Sequence, residues 1–375
     1  MASFLVVGAG FAGAVCARTL ADAGHAVTVI DKRDHIGGNA FDYIDGNGVR
    51  VHRYGPHLFH TNNATVVEWL SRFGEWVPYE HRVRARLNDG RHVPLPVNRQ
   101  TVNQVFDKAL PDEAAVKAFL RSVAEPIETP HNAAEYLRSQ IGGVLTDLFF
   151  RPYTKKMWAM DLEEMSASVV QRIPIRFDDD DRYFPNDRFQ LLPVRGYTAI
   201  FDAIFDHPNI KVSSKTSYER GMESGYAHCF NSMPIDEFFG FQLGELPYRS
   251  IRFHPRDQPT ESPPAWAVTN YTDAGPFTRE TYWHALPAHH VTPGAQVTVT
   301  VEEPCDYRDN YFERYYPVKT ADNRFVVLYE QYKALSTDTP KMSFIGRCGT
   351  YQYLDMHQVI NQSMAEAKRF LDSML

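Results

Sequence analysis

The sequence predicts an α/β protein with a Rossmann-like domain at its N-terminus, and three observations carry that reading. The apolar stretch Phe4-Leu5-Val6-Val7 runs straight into Gly8-Ala9-Gly10-Phe11-Ala12-Gly13, three glycines at the spacing of a dinucleotide-binding turn. Ala14 to Ala23 then has helix-forming composition, with Gly24 at the C-cap position, and Ala26-Val27-Thr28-Val29-Ile30 reads as a second buried strand. Near the other end, Phe344-Ile345-Gly346-Arg347 and a final helix reaching Leu375 would bring the chain back to the first sheet, which makes the domain discontinuous.

Each glycine of the first turn has a physical task. Gly8 allows the tight exit from the strand, Gly10 lets backbone approach a pyrophosphate, and Gly13 lets the helix pack close to the sheet. The helix starting near Phe11 then presents free N–H groups to phosphate. Asp31 ends the second strand at about 20 residues from the turn, the distance expected of an acid that accepts ribose hydroxyls. Beyond it, Lys32-Arg33-Asp34-His35-Ile36-Gly37-Gly38-Asn39-Ala40 adds a glycine pair resembling the extension in FAD proteins of the amine-oxidase and glutathione-reductase type, which favours a flavin over a nicotinamide. Gly8, Gly10, Phe11, Gly13, Asp31, Lys32, Gly38 and Asn39 are the candidate cofactor ligands of this part.

Bulk properties narrow the rest. A chain of 375 residues is long enough for two or three domains. A net charge of −7 does not ask for nucleic acid or an anionic membrane. Apolar runs fall far short of a membrane span, so a cytoplasmic protein is expected. Cys16, Cys229, Cys305 and Cys348 lack paired spacing, so no disulfide framework and no metal site are expected. Aromatic residues make up 13% of the chain, and although most must be core, several stand beside arginines as candidates for stacking on a base or ring.

In chain order, Val51 to Thr61 is too rich in Gly, Pro and His for a plain strand; Gly55-Pro56 would let backbone lie close to a flat ligand faced by His60, although a solvated loop would also explain it. Arg82 to Val97 reads as a hairpin turning at Asp89-Gly90. Thr101 to Gln140 is helical in pieces broken by Pro111, Pro126 and Pro130, and Leu145 to Met160 is helical. Asp178 to Asp181 read as a solvated run whose like charges repel, so the loop 175–189 that carries Arg176 is expected to move. Gly196 to Phe205 is a helix and Ile210 to Val212 a strand, while Tyr248 to Phe253, Ala265 to Tyr271 and Gln296 to Val301 are strands of a second sheet.

Taken in order, Gly8 to Gly13, His35-Ile36-Gly37-Gly38-Asn39-Ala40, Tyr54-Gly55-Pro56-His57-Leu58-Phe59-His60-Thr61, Tyr153-Thr154-Lys155-Lys156-Met157-Trp158, Arg172-Ile173-Pro174-Ile175-Arg176, Asn270-Tyr271-Thr272-Asp273, Tyr315-Tyr316-Pro317-Val318 and Gly346-Arg347 with Tyr353-Leu354-Asp355-Met356-His357-Gln358 resemble the bacterial UDP-galactopyranose mutase family over essentially the whole chain. The resemblance implies an FAD-binding Rossmann-like domain (1–78, 194–240 and 318–375), a helical domain (100–165) and a twisted antiparallel β-sheet domain (79–99, 166–193 and 241–317), usually as a homodimer. It implies a flavin that must be reduced, by NAD(P)H or a reductase, for a redox-neutral exchange between pyranose and furanose forms of a nucleotide sugar, with N5 attacking the anomeric carbon as UDP leaves.

Residue by residue, the resemblance makes Arg176 and Arg347 the pyrophosphate arginines and Arg279 a third, with Tyr315 and Tyr353 on the diphosphate. Tyr153, Thr154 and Phe149 or Phe150 would hold the uridine, and Trp158 would lie near the sugar, with Phe189, Arg249 and Asn270 as further substrate contacts. His57 and His60 would lie against the flavin, and Asp355 and Met356 on its ribityl side. Departures at Phe230-Asn231-Ser232-Met233-Pro234, Glu280-Thr281-Tyr282-Trp283 and Phe189 leave the sugar open, including a 6-deoxy or amino sugar. An amine-oxidase-like flavin oxidoreductase and an idle nucleotide-sugar binder remain as other readings.

Overall fold

A computed structural model describes residues 1–171 and 174–374; Arg172 and Ile173, part of the Arg-Ile-Pro-Ile-Arg motif, and the terminal Leu375 lie outside the described residues. The N-terminal strand Ser3–Val7 sits at the centre of a parallel sheet ordered Ile210–Ser213, Ala26–Ile30, Ser3–Val7, His228–Asn231, Met342–Phe344. Parallel strands are covered on both faces, and the alternation of side chains divides this one cleanly. Phe4, Val6, Val27 and Val29 enter one buried cluster, while Leu5, Val7, Ile30 and Cys229 enter another. On the first face lie the helix Phe11–Asp22 and the last helix, Met356–Ser373, which touch through Cys16 Sγ and the Ser363 carbonyl at 3.7 Å.

A seven-stranded sheet runs Tyr316–Pro317, Tyr248–Pro259, Gln296–Asp306, Arg279–Tyr282, Val268–Tyr271, Val83–Arg86, His92–Leu95. Its pairs are antiparallel except Val268–Tyr271 with Val83–Arg86, which run parallel because a separate part of the chain supplies the edge hairpin. A small sheet of Phe59–Thr61, Phe189–Pro193 and Trp76–Pro78 joins the two larger ones.

The helical region starts where short polar caps meet apolar periodicity. Asn98, Asp112 and Asn132 each cap a helix, Arg99–Phe106, Glu113–Val123 and Ala133–Leu145, by accepting a backbone N–H from Thr101, Ala115 and Glu135. Pro111, Pro126 and Pro130 fall in the gaps between them. The stretch Leu145 to Met160 is helical as expected up to Trp158, but it opens on a π-helical turn, Thr146–Phe150, that leads into Arg151–Trp158. Composition does not separate these, because the same helix-forming residues serve either turn, while the extra residue of a π-helical turn re-aims the side chains that follow. The helices Ala64–Ser71 and Arg324–Thr337 were not expected.

The acidic run departs from its expected behaviour. Asp178 pairs with Arg176 at 2.8 Å, Asp179 with Arg99, Asp180 with Arg182 at 2.7 Å and Arg176 at 2.9 Å, and Asp181 with Arg82 at 2.9 Å and Arg84 at 2.8 Å. Tertiary structure thus brings arginines from the hairpin and from Arg99 to acids that in sequence only repel one another. Backbone bonds from Arg176 to the Val97 carbonyl, from Arg99 to the Asp178 carbonyl and from Tyr183 to the His81 carbonyl pin the same segment.

Candidate active site

Where the two large sheets, the helix Arg151–Trp158 and the loop Tyr183–Asp187 converge, they enclose a cavity of about 620 Å³. The Rossmann-like side contributes Asn39, Arg347, Asp355, Met356 and His357, and the turn Tyr54–His60 forms the floor. The antiparallel sheet presents Phe253, Asn270, Arg279, Glu302, Tyr315 and Tyr316, and the helix adds Tyr153, Met157 and Trp158.

The residues on the Rossmann-like side fit a dinucleotide. Gly13 packs so tightly that a Cβ there would lie 1.9 Å from the Gly8 carbonyl oxygen, and a Cβ on Gly38 would lie 2.9 Å from Gly10 Cα, so the two glycine loops form one close-set cradle. Gly10 is the N-cap of Phe11–Asp22 and no side chain caps that helix, whose first N–H groups lack intrahelical acceptors and suit a phosphate. Asp31 is buried, with one carboxylate oxygen accepting from Ala9 N at 2.7 Å and the other from Arg33 N at 2.9 Å. Each oxygen keeps a further lone pair for a ribose hydroxyl. Lys32 is exposed.

The middle of the cavity is cationic. Arg279 Nε donates to Glu302 Oε2 at 3.0 Å, and this carboxylate is buried with no hydrogen-bond partner on Oε1 among the described residues. Burial raises the Glu302 pKa despite Arg279, and the carboxylate in turn holds the guanidinium charged against its own burial. Arg347 donates through Nε to the Leu354 carbonyl at 2.7 Å and through Nη1 to the Tyr315 carbonyl at 3.4 Å. It has no carboxylate partner among the described residues, and its guanidinium lies 5.4 Å from the Tyr353 ring and 6.0 Å from that of Tyr316. Those two rings stack 5.3 Å apart. A half-buried cation that meets, among the described residues, only carbonyls and ring faces suits an anion.

Two histidines beside this centre, His57 and His81, are held neutral. Burial lowers His57 to about 4 and His81 to about 3. His60 Nδ1 meets Asp187 Oδ2 at 2.5 Å and its ring stacks on Phe184 at 3.6 Å, tying the loop to the cavity floor. Asn270 Oδ1 is buried without a partner among the described residues.

Several expected site residues lie elsewhere. Phe149 and Phe150 are buried in the helical core rather than on the cavity wall, because the π-helical turn directs them inward. Thr154 is buried, on the part of its helix away from the cavity. Phe189 starts a strand opposite Thr61 and is stacked by Arg188, again off the wall. Arg249 donates to the carbonyls of Met157 at 2.8 Å and Lys156 at 3.3 Å, so it caps the end of the helix Arg151–Trp158 instead of reaching the cavity. Arg176 is occupied by Asp178 and Asp180 and does not line it either.

Other residues had no sequence reading. Glu302 becomes visible only through the register that sets it opposite Arg279, and Tyr316 stands beside the expected Tyr315. Lys156, half-buried, donates to the carbonyls of Tyr271 at 3.1 Å, Asp273 at 2.9 Å and Phe277 at 2.7 Å, clamping the helix that carries Tyr153 and Trp158 to the strand turn before Arg279. Among the described residues no group of three or more His, Cys, Asp or Glu could hold a metal ion, and no helix is long and apolar enough to cross a membrane.

Comparison with known proteins agrees with this geometry. A family model described as UDP-galactopyranose mutase matches residues 148–353, more than half of the chain, and one described as an NAD(P)-binding Rossmann-like domain matches residues 6–73. A probable UDP-galactopyranose mutase of Klebsiella pneumoniae is 38% identical over 99% of this chain and 95% of its own. A dTDP-fucopyranose mutase of Escherichia coli is 34% identical over 99% of each. A crystal structure of reduced UDP-galactopyranose mutase superposes with a TM-score of 0.77, covering 100% of this chain and 94% of that one at 17% identity, a likeness of fold. With a glycine cradle that fits FAD on one side of the cavity and, at its centre, Arg347 lacking a carboxylate partner among the described residues, the chain belongs to the UDP-galactopyranose mutase family and takes FAD as its cofactor.

Proposed function

We propose that the cavity interconverts the pyranose and furanose forms of a nucleoside-diphosphate sugar, with UDP-galactopyranose and UDP-galactofuranose as the pair. The observation that carries this is Arg347, a cation without a carboxylate partner among the described residues, facing the cavity beside the cofactor side and 5.4 Å from Tyr353. Reduced FAD supplies a nucleophilic nitrogen at the anomeric carbon. This chain's residues do the rest: Arg347 and Arg279 take up the charge that develops on the departing diphosphate and hold it for return, and Tyr315 and Tyr353 position its oxygens. Tyr153 and Trp158 form the wall for the pyrimidine and the sugar, and the Asn270 carbonyl oxygen accepts from a sugar hydroxyl. His57 and His60, from the floor, keep water from the reacting carbon. Asp355 and Met356, at the start of the last helix, flank the ribityl chain.

On this reading the chain works as a cytoplasmic homodimer of three-unit subunits, feeds a surface polysaccharide, and receives electrons from NAD(P)H or a reductase. Arg176 reaches the diphosphate only by leaving Asp178 and Asp180, so the loop 175–189 closes in response to the nucleotide. A second reading, a 6-deoxy sugar on a thymidine diphosphate, is supported by the dTDP-fucopyranose mutase that matches nearly end to end. An amine-oxidase-type oxidation has weaker support, since the fold is shared but a diphosphate-sized cation set is not needed there.

The test is to incubate dithionite-reduced and oxidised protein with UDP-galactofuranose, UDP-galactopyranose and their dTDP and 6-deoxy analogues, and to separate the products chromatographically. Interconversion by the reduced protein alone is expected. Equal activity in both redox states, or none with any nucleotide sugar, would overturn the reading.

A further inference from the structure

Behind the cavity floor, outside its lining, two histidines face each other with no access to solvent. His52 and His289 are fully buried, and their Nε2 atoms lie 2.9 Å apart. Backbone pairing places them there: Arg50 N donates to the His289 carbonyl at 2.7 Å, and Val49 bridges to His290. His289 Nδ1 lies 2.8 Å from the Pro287 carbonyl, and His57 N donates to His52 Nδ1 at 3.0 Å.

These contacts leave one arrangement of protons. The Pro287 carbonyl only accepts, so His289 carries its proton on Nδ1 and its Nε2 is an acceptor. His52 must then carry its proton on Nε2, which leaves its Nδ1 free to accept from the His57 backbone. His57 Nδ1 in turn donates to the Gly55 carbonyl at 2.8 Å. The whole chain of bonds ends in the turn Gly55-Pro56-His57, whose Gly55 has φ +83° and packs so closely that a Cβ would lie 2.9 Å from the Phe253 ring and 3.2 Å from Glu302 Oε1.

We propose that His52 and His289 are positioning residues: a buried histidine relay of single tautomer that fixes the Gly55–His57 turn on the floor of the cavity, and so sets how that turn meets the flavin. The relay works only with both rings neutral. Burial lowers His52 well below the usual histidine range and His289 to about 4, which agrees with that requirement. A purely apolar pair would fill the same space but would leave the half-buried His57 N–H without its acceptor. The placement against the flavin rests on the FAD assignment; it does not depend on which sugar is turned over.

The test compares His52→Phe, His289→Leu, His289→Gln and His289→Asn in the FAD-loaded protein. Readouts are the visible spectrum and midpoint potential of the bound flavin, with kcat and KM measured beside them. Phenylalanine and leucine side chains cannot continue the relay, so H52F and H289L are expected to shift the flavin band and potential and to lower kcat tenfold or more, with KM within threefold. Glutamine reaches the Nε2 position with an acceptor oxygen, so H289Q should stay within threefold of the parent; asparagine is too short, so H289N should behave as H289L. Parent-like spectra and kcat in H52F and H289L would overturn the proposal. If those two do not fold, equal behaviour of H289Q and H289N would overturn it instead. The flavin spectra need no substrate, so a protein inactive on every nucleotide sugar whose variants still shift the flavin would sink the functional reading and leave the relay standing.

Discussion

Arg347 and Arg279 line the same cavity under different constraints, and single substitutions should separate them. Arg347 touches carbonyls and ring faces, so Arg347→Ala is expected to lower kcat by about 10² to 10³, the usual cost of about 2.7 to 4 kcal/mol for one donor to developing charge, with an unchanged unfolding midpoint. Arg279→Ala should lose activity and also stability, by about 3 to 5 kcal/mol, since it strands the buried Glu302 carboxylate. Adding Glu302→Gln should return most of that stability without the activity; calorimetry and initial rates on the three variants decide this. At the cofactor end, Asp31→Ala removes the acceptor of Ala9 N and Arg33 N as well as that of the ribose. The variant should lose FAD on gel filtration where the parent retains it, and retention equal to the parent would show that the ribose lies elsewhere.

Among the elements, the helix Arg151–Trp158 carries Tyr153 and Trp158 to the cavity and is held by two cations, Arg249 at its end and Lys156 on its side. Lys156→Met should therefore raise KM about tenfold with kcat little changed, as expected when a wall that binds ground and transition states alike is loosened. The loop 175–189 presents the opposite case. Its acids are paired, so the expected looseness from charge repulsion has no basis, and the closure proposed for it would run through an exchange of partners at Arg176. Asp178→Asn weakens the hold on Arg176 and should lower KM for the nucleotide sugar a few-fold, the scale of an ion pair worth up to about 1 kcal/mol. Hydrogen exchange across 176–189 with and without UDP reads the same exchange, and identical protection in both conditions would leave Arg176 bound to its aspartates.

Across the molecule, burial of neutral histidines predicts how stability depends on pH. His57 and His289 are held at about 4 and His81 at about 3, below the ordinary 6.5, so the unfolded chain binds protons that the folded one refuses. Stability is complete above 6.5 and falls as pH drops toward 4, by about 1.4 kcal/mol per pH unit for each such histidine. Thermal unfolding of the FAD-loaded protein between pH 7 and 4.5 should show a steep fall in Tm, less steep in His81→Phe. A flat profile across that window would mean that these rings are solvated.

Local rules made much of this chain legible. The strand Ser3–Val7, the glycine turn, the helix after it and Asp31 follow from spacing and backbone sterics alone, and the hairpin around Asp89-Gly90 and the proline-punctuated helices from the chemistry of turns and caps. The long ordered series of motifs pointed to the family, since it names many positions at once. What only the tertiary structure decided are pairings between residues far apart: Glu302 against Arg279, Lys156 on three carbonyls, arginines from 82 to 99 on the acids of 178–181, and His52 against His289. Phe149, Phe150 and Arg249 show the same limit from the other side. Periodicity states that a residue is on a helix or strand, but which way a π-helical turn points a ring, or whether a guanidinium meets a helix end or a cavity, is set by neighbours the local sequence does not contain.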